Sequence, residues 1–267
     1  MKQVAWKNSI AITGAGSGFG AALAHRYAAD GWNVAVTDID ENRARQTLFE
    51  IERHGGNNFS MQLDITDSEQ WQTLEDTVMT SWGGLEVLVN NAGVAAAGNV
   101  EETSMEDWAW VLDVDLMGVV RGCHQFAGIM KRQRKGHIVN ISSFAGLSGL
   151  PFIAAYGVAK AGVVALSEAL RAEMHPFGVG VTVACPAFVK TGLLDSFRET
   201  KPGTKARVTR WMENSGITAD QIAQEIADAV RENTFLLLTH DQTRSAWRMK
   251  RWFPERYYKM VAKRSSD

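Results

Sequence analysis

Tyr156 and Lys160 stand four residues apart. On a helix that spacing puts both side chains on one face, aimed at the same point. A free phenol titrates near ~10 and is a poor base at neutral pH. An ammonium fixed beside it favours the phenolate and draws that value toward the working range, which suits proton transfer to or from a substrate oxygen. An isolated Tyr-x-x-x-Lys means little, because the tyrosine can be core and the lysine solvated. The pair gains its force from what lies upstream.

Upstream is the run Thr13-Gly14-Ala15-Gly16-Ser17-Gly18-Phe19-Gly20, which directly follows a short apolar strand pattern. Glycines let the backbone turn tightly and approach a pyrophosphate, whose charge then rests on a helix N-terminus. The spacing is Thr-Gly-x-x-x-Gly-x-Gly rather than Gly-x-Gly-x-x-Gly, since Phe19 takes the place of the last glycine. Asp38 follows the second strand pattern and can accept both hydroxyls of an adenosine ribose. Ile39 comes next, where an enzyme selecting a 2′-phosphate would place a cation. These residues predict NAD as the cofactor.

With these pieces in register, the chain resembles the short-chain dehydrogenase/reductase family over nearly its whole length. Thr13 to Gly20 is similar to that family's cofactor loop, with Gly14, Ser17, Gly18, Phe19 and Gly20 as contacts. Asp64-Ile65 resembles its adenine contact after strand three. Asn90-Asn91-Ala92-Gly93 resembles its Asn-Asn-Ala-Gly turn, so that Asn91, Ala92 and Gly93 border the cofactor. Ser143 stands 13 residues before Tyr156, and Tyr156-Gly-Val-Ala-Lys160 matches the family's Tyr-x-x-x-Lys. The resemblance implies that Ser143 hydrogen-bonds the substrate oxygen and that Tyr156 moves the proton. Lys160 would also hold the nicotinamide ribose, and Pro186, Val189 and Thr191 would contact the nicotinamide end. Two positions depart from the pattern. Asp115 occupies a place where the family usually has a catalytic-region Asn, and Ala187 follows Pro186 where Pro-Gly is usual. Alanine makes positive φ costly, so the turn at Ala187 is expected to keep φ negative.

The elements that must position these groups read as alternating strands and helices. Ser9–Thr13, Asn33–Thr37, Phe59–Leu63, Leu85–Asn90, His137–Ser142, Val179–Cys185 and Phe235–Leu238 have strand character, and several are apolar on successive residues, as in strands covered on both faces. Phe19, Leu23 and Tyr27 recur at helical spacing before Gly31. The expectation is an α/β fold: a doubly wound, Rossmann-type parallel sheet of about seven strands with helices on both faces. Residues 1–267 read as one domain, with a substrate lid at about 187–217 and an aromatic, basic tail at about 244–267.

The formal net charge is −2, which does not suit a nucleic-acid binder. Cys123 and Cys185 are the only cysteines, and His25, His54, His124, His137, His175 and His240 lack metal-ligand spacing, so neither a disulfide framework nor a metal is expected. A reduced, cytoplasmic setting follows, and neither a signal peptide nor a membrane span is read. Phe188, Leu193, Leu194, Phe197, Trp211 and Met212 on the lid point to a hydrophobic secondary alcohol or ketone, lipid-like, alicyclic or steroid-like, unless they only pack the lid down. The tail is read as packing on its own domain or a neighbouring subunit, with peripheral membrane contact as the other reading. The family likeness of the segments around Asp107–Lys131 and Phe152–His175 implies a homo-oligomer, dimer or tetramer. Two rivals remain open on sequence: a non-catalytic NAD-binding regulator, and an NAD-dependent dehydratase or epimerase.

Overall fold

A computed structural model of the chain describes residues 8–187, 189, 192–200, 202–214 and 216–266. In chain order the strands are β1 (Ser9–Thr13), β2 (Asn33–Asp38), β3 (Phe59–Gln62), β4 (Val87–Asn90), β5 (Ala96–Ala97), β6 (Gly136–Ile141), β7 (Val179–Ala184), β8 (Arg198–Glu199) and β9 (Leu236–Leu237). The helices are α1 (Gly18–Ala29), α2 (Glu41–Ile51), α3 (Ser68–Trp82), α4 (Met105–Leu112), α5 (Gly118–Gln133), α6 (Phe144–Ser148), α7 (Ala154–Met174), α8 (Thr204–Glu213), α9 (Ala219–Glu232), α10 (Asp241–Trp252) and α11 (Pro254–Ser266).

Seven strands form one parallel sheet in the order β3-β2-β1-β4-β6-β7-β9. The chain leaves β1 toward β2 and β3, then returns to β4 on the other side of β1. The order therefore reverses between β1 and β4, and at such a point a crevice opens outside the carboxyl ends of the strands. Alternation along the strands feeds two cores. Ile10, Ile12, Val34, Val36, Val87 and Val89 pack with Leu23, Tyr27, Ile222 and Ile226 of α1 and α9. Ala11, Ala35 and Leu88 point the other way, toward Trp71, Leu74, Phe126, Val163 and Leu170 of α3, α5 and α7. Helices thus cover both faces, which is why the strands read as nearly continuous apolar runs.

Local chemistry sets the helix boundaries. Asp40 and Asp67 cap α2 and α3 by accepting first-turn N–H groups, and Thr218 with Gln221 forms a full capping box on α9. The segment expected as a long lid is more structured than the sequence reading allowed. It contains a single turn of 3₁₀-helix at Gly192–Leu194, strand β8 and helix α8. Strand β8 pairs in parallel with β5, tying this segment to the loop after β4. The tail forms α10 and α11, and Lys250 donates to the Leu147 carbonyl at 2.6 Å.

Candidate active site

A cavity of about 390 Å³ lies at the switch point, lined by the glycine loop, the ends of β2, β4 and β6, the start of α7 and the lid. The glycine loop takes its shape from close packing. Gly14 has φ +63°, and a Cβ there would come within 2.8 Å of the Ala92 Cα. A Cβ on Gly20 would meet the Gly14 carbonyl oxygen at 2.2 Å, so no side chain fits at either position. Asn91 holds this arrangement, its Nδ2 donating to the carbonyls of Thr13 at 2.8 Å and Gly14 at 3.1 Å. Ser17 precedes α1 without a side-chain cap, which leaves first-turn N–H groups open toward the cavity, as an anion site requires.

Asp38 ends β2 beside this turn. Its Oδ2 accepts from Gly16 N–H at 2.9 Å and its Oδ1 from Asp40 N–H at 3.0 Å. A carboxylate has lone pairs left over after two such bonds. Ile39 is exposed at the rim. Arg43, which the sequence reading passed over, also lines the cavity and reaches Asp195 of the lid at 3.0 Å. Asp64 is engaged in its own turn, accepting the Thr66 N–H and hydroxyl. Ile65 is buried and lines the cavity wall.

Ser143, Tyr156 and Lys160 meet at the opposite end. Ser143 caps α6, its Oγ accepting from Ala145 N–H at 3.1 Å and donating to the Pro186 carbonyl at 3.5 Å. A Cβ on Gly146 would lie 2.6 Å from the Lys160 carbonyl carbon, so glycine lets α6 press directly on α7. The Lys160 ammonium sits 5.6 Å from the Tyr156 ring centroid and donates to the Ile141 carbonyl at 3.3 Å. Burial raises the Tyr156 phenol above its ordinary value, Lys160 and the Ser143 hydroxyl pull it down, and Asp115 pushes it up. The net direction is upward, opposite to the sequence expectation. That expectation counted the ammonium but not the enclosure of the phenol.

Asp115 is fully buried behind this group and does not line the cavity. It sits in a π-helical turn, Asp113–Met117, between α4 and α5. Such turns insert one residue into a helix and recur at functional sites. Oδ1 accepts from Val94 N–H at 2.7 Å, and Oδ2 faces the Lys160 ammonium at 3.4 Å in an ion contact without hydrogen-bond alignment. Desolvation raises the Asp115 carboxyl. Burial would lower Lys160, but Asp115 and then Tyr156 hold its ammonium above the usual range. Asp115 therefore meets the cavity only through its neighbours Lys160 and Val94.

The end of the cavity that the family resemblance assigns to nicotinamide is described in part. Pro186, Ala187 and Val189 line the cavity, and Ala187 keeps a negative φ as expected. Thr191 lies outside the described residues, as does Phe188 of the lid. Of the remaining lid residues singled out in the sequence, Leu193 and Met212 face the cavity, whereas Leu194 and Phe197 do not; the Trp211 side chain also falls outside the description. The apolar wall is completed by Val94, in the loop after β4 where the sequence places substrate selectivity, and by Trp110 and Val114, which the sequence reading missed. The Arg198 guanidinium stacks 3.9 Å from the Trp110 centroid. Phe152 adopts φ +66°, rare for a bulky residue, and its carbonyl accepts from Gly98 N–H at 2.7 Å.

Comparisons agree with this geometry. The "short chain dehydrogenase" family model matches residues 8–202. A Mycobacterium tuberculosis protein called probable oxidoreductase EphD is 34% identical over 232 residues, covering 84% of this chain but 39% of its own length; the chain thus spans about two fifths of that relative. A 3beta-hydroxysteroid dehydrogenase of Eggerthella lenta is 36% identical over 185 residues, 68% of this chain and 71% of that protein. The crystal structure of a Burkholderia phymatum short-chain dehydrogenase/reductase in complex with NAD superposes with a TM-score of 0.87 at 33% identity, covering 94% of this chain and 95% of the other. With a family model that runs from β1 through the lid strand, this chain belongs to the short-chain dehydrogenases/reductases.

Proposed function

We infer that the protein interconverts a hydrophobic secondary alcohol and its ketone using NAD(H). One observation carries this reading: Ser143 and Tyr156, backed by Lys160, line the same cavity as the glycine loop and Asp38. The residues suit a dinucleotide. The uncapped N-terminus of α1 would take the diphosphate, Asp38 the adenosine ribose, and Lys160 with Tyr156 the nicotinamide ribose. When bound, NAD(H) supplies the hydride acceptor or donor.

The protein's own groups handle the oxygen and the proton. Ser143 donates a hydrogen bond to the substrate oxygen and fixes its distance from Tyr156. In ketone reduction the Tyr156 hydroxyl gives its proton to that oxygen, and its raised pKa keeps it protonated for this role at neutral pH. In alcohol oxidation it must first deprotonate, so the oxidation rate climbs into alkaline pH. Lys160 offsets the developing phenolate charge, while Asp115 anchors Lys160 and, through Val94, the loop after β4.

Apolar selectivity rests on Val94, Trp110, Val114, Leu193 and Met212. Each CH₂ buried there is worth about 0.8 kcal/mol, so kcat/KM should rise along an alkyl series until the cavity fills. The likeness to a hydroxysteroid dehydrogenase supports bulky alicyclic or steroid-like alcohols. The same reading treats lid and tail as parts of one domain, and α5 and α7 as subunit contacts in a homo-oligomer; the exposed Met117 and Val158 suit such a contact. Cys123 and Cys185 are buried thiols, in keeping with a reduced cytoplasmic setting. The direct test is NADH formation from a panel of alicyclic and steroidal alcohols, with glycerol as the small polar control. Turnover of glycerol in preference to the bulky alcohols would overturn the substrate class.

A further inference from the structure

The C-terminal helix pair carries chemistry that the proposed reaction does not use. From Arg244 to Lys263 the chain holds seven Lys and Arg against the single acid Glu255, which leaves the remainder with 29 acids against 21 bases. The tail is thus a cationic element on an acidic body. At its elbow, the run Arg251-Trp252-Phe253-Pro254-Glu255-Arg256 is exposed throughout. Trp252 is 73% exposed and Phe253 55%, with Met249 and Tyr258 exposed beside them. Arg251 lies 5.6 Å from the Trp247 ring centroid and Arg256 5.5 Å from that of Phe253, so the cations flank the apolar tip. Inward-facing groups hold the element down: Tyr257 and Thr243 are buried, and Lys250 bonds Leu147 of α6.

We propose that the elbow of α10 and α11 is a reversible docking surface for an anionic phospholipid bilayer. Interfacial binding wants aromatic and aliphatic side chains at headgroup depth with Lys and Arg around them, the arrangement found here. Among the described residues no helix is long and apolar enough to cross a membrane, so the contact is peripheral. A second copy is a poor occupant, because a two-fold contact would set these cations against themselves. A nucleic acid would satisfy the cations but offers no apolar counterpart to Met249 and Phe253. Docking here would also bring α6, which follows Ser143, near the phase in which a hydrophobic alcohol dissolves. That consequence rests on the proposed function; the docking itself does not.

The test is co-sedimentation of the full chain with phosphatidylcholine vesicles and with vesicles containing a quarter phosphatidylglycerol, at 0.1 M and 0.5 M salt. Retention on the anionic vesicles, weakened by salt, is the expected result. Replacing Arg251 and Arg256 together by Gln should lower partitioning by about twenty-five-fold, at roughly fivefold per cation. Trp252→Ser with Phe253→Ser should lower it on anionic vesicles at both salt concentrations. Secondary structure by circular dichroism and turnover of a water-soluble alcohol should match the parent in all variants. Equal binding to both vesicle types, no binding to either, or full retention by both variants would overturn the proposal. So would capture by single-stranded RNA without vesicle binding, or a change of oligomeric state in the variants. Since sedimentation needs no turnover, an inactive protein that binds vesicles would refute the function and leave the docking intact.

Discussion

Replacing Asp115 by Asn removes a negative charge from the interior while keeping the side chain's shape. The amide oxygen can still accept from Val94 N–H, now at 2.7 Å from Oδ1, so the loop after β4 should hold its place. What changes is the electrostatics behind Tyr156. Asp115 is among the groups that raise the phenol's pKa, and it faces the ammonium that lowers it. A unit charge acting over about 9 Å, the 3.4 Å from Asp115 to Lys160 followed by the 5.6 Å from Lys160 to the Tyr156 ring, contributes about 2 kcal/mol at an effective dielectric near 20. At about 1.4 kcal/mol per pK unit, that lowers the phenol by roughly one to one and a half units. The basic limb of kcat/KM for alcohol oxidation should move toward neutrality by about that amount. The assay is the pH–rate profile of both proteins with one alcohol and saturating NAD. Superimposable profiles, or a shift to higher pH, would refute the coupling of Asp115 to the base. Asp115→Ala is a different perturbation. It strands the Val94 N–H and leaves the buried Lys160 ammonium without its counter-charge, which should cost about 3–5 kcal/mol by denaturant titration.

Asp38 should favour NAD over NADP, because its carboxylate would meet a 2′-phosphate of about −1.5 to −2 charge. Arg43 on the same rim tempers the repulsion, so kcat/KM should differ by about one to two decades rather than more; equal values would remove Asp38 from the ribose site. The Arg43–Asp195 pair links α2 to the lid but is half-exposed, so Asp195→Ala should speed NADH release in stopped flow by no more than a few-fold. An unchanged rate would show that this contact does not retain cofactor. His137 is buried and bonded to Thr182, and burial pushes its pKa down to about 4. The unfolded chain takes up that proton near pH 6.5, so the neutral ring's stabilising contribution is complete above 6.5 and is lost as pH falls toward 4. That loss is up to about 3 kcal/mol. Denaturant midpoints between pH 7 and 4.5 should show it, and His137→Gln should flatten the slope.

The sheet was legible because its signals are local. β1, β2, β4, β6 and β7 lie within two residues of the apolar runs that predict them, and their order follows from the glycine turn after β1. Tyr156 and Lys160 share a cavity because a helix places residues four apart on one face, and Ser143 joins them where the family pattern implies. What was not legible depends on tertiary packing. The π-turn at Asp113–Met117 adds one residue to a helix with no composition to mark it, and it decides that Asp115 points inward. Strands β5 and β8 are two residues each, too short for a periodicity to register. Trp110 and Val114 gave no reason to be placed at the cavity rather than in the core, and Arg43 looked like any exposed helix cation. The upward direction of the Tyr156 pKa depends on how completely the phenol is enclosed, which spacing along a chain does not contain.

The central claim is that Tyr156 moves the proton in a reaction whose hydride passes to or from NAD in the same cavity. It is tested most directly by Tyr156→Phe, which keeps the ring against Lys160 and removes only the hydroxyl. NADH formation should be measured with a verified bulky alcohol at saturating NAD, alongside NAD binding by calorimetry. In this variant kcat should fall by about 10²–10⁴-fold while the NAD dissociation constant changes by no more than a few-fold. Full turnover in Tyr156→Phe would contradict it and assign the proton to another group.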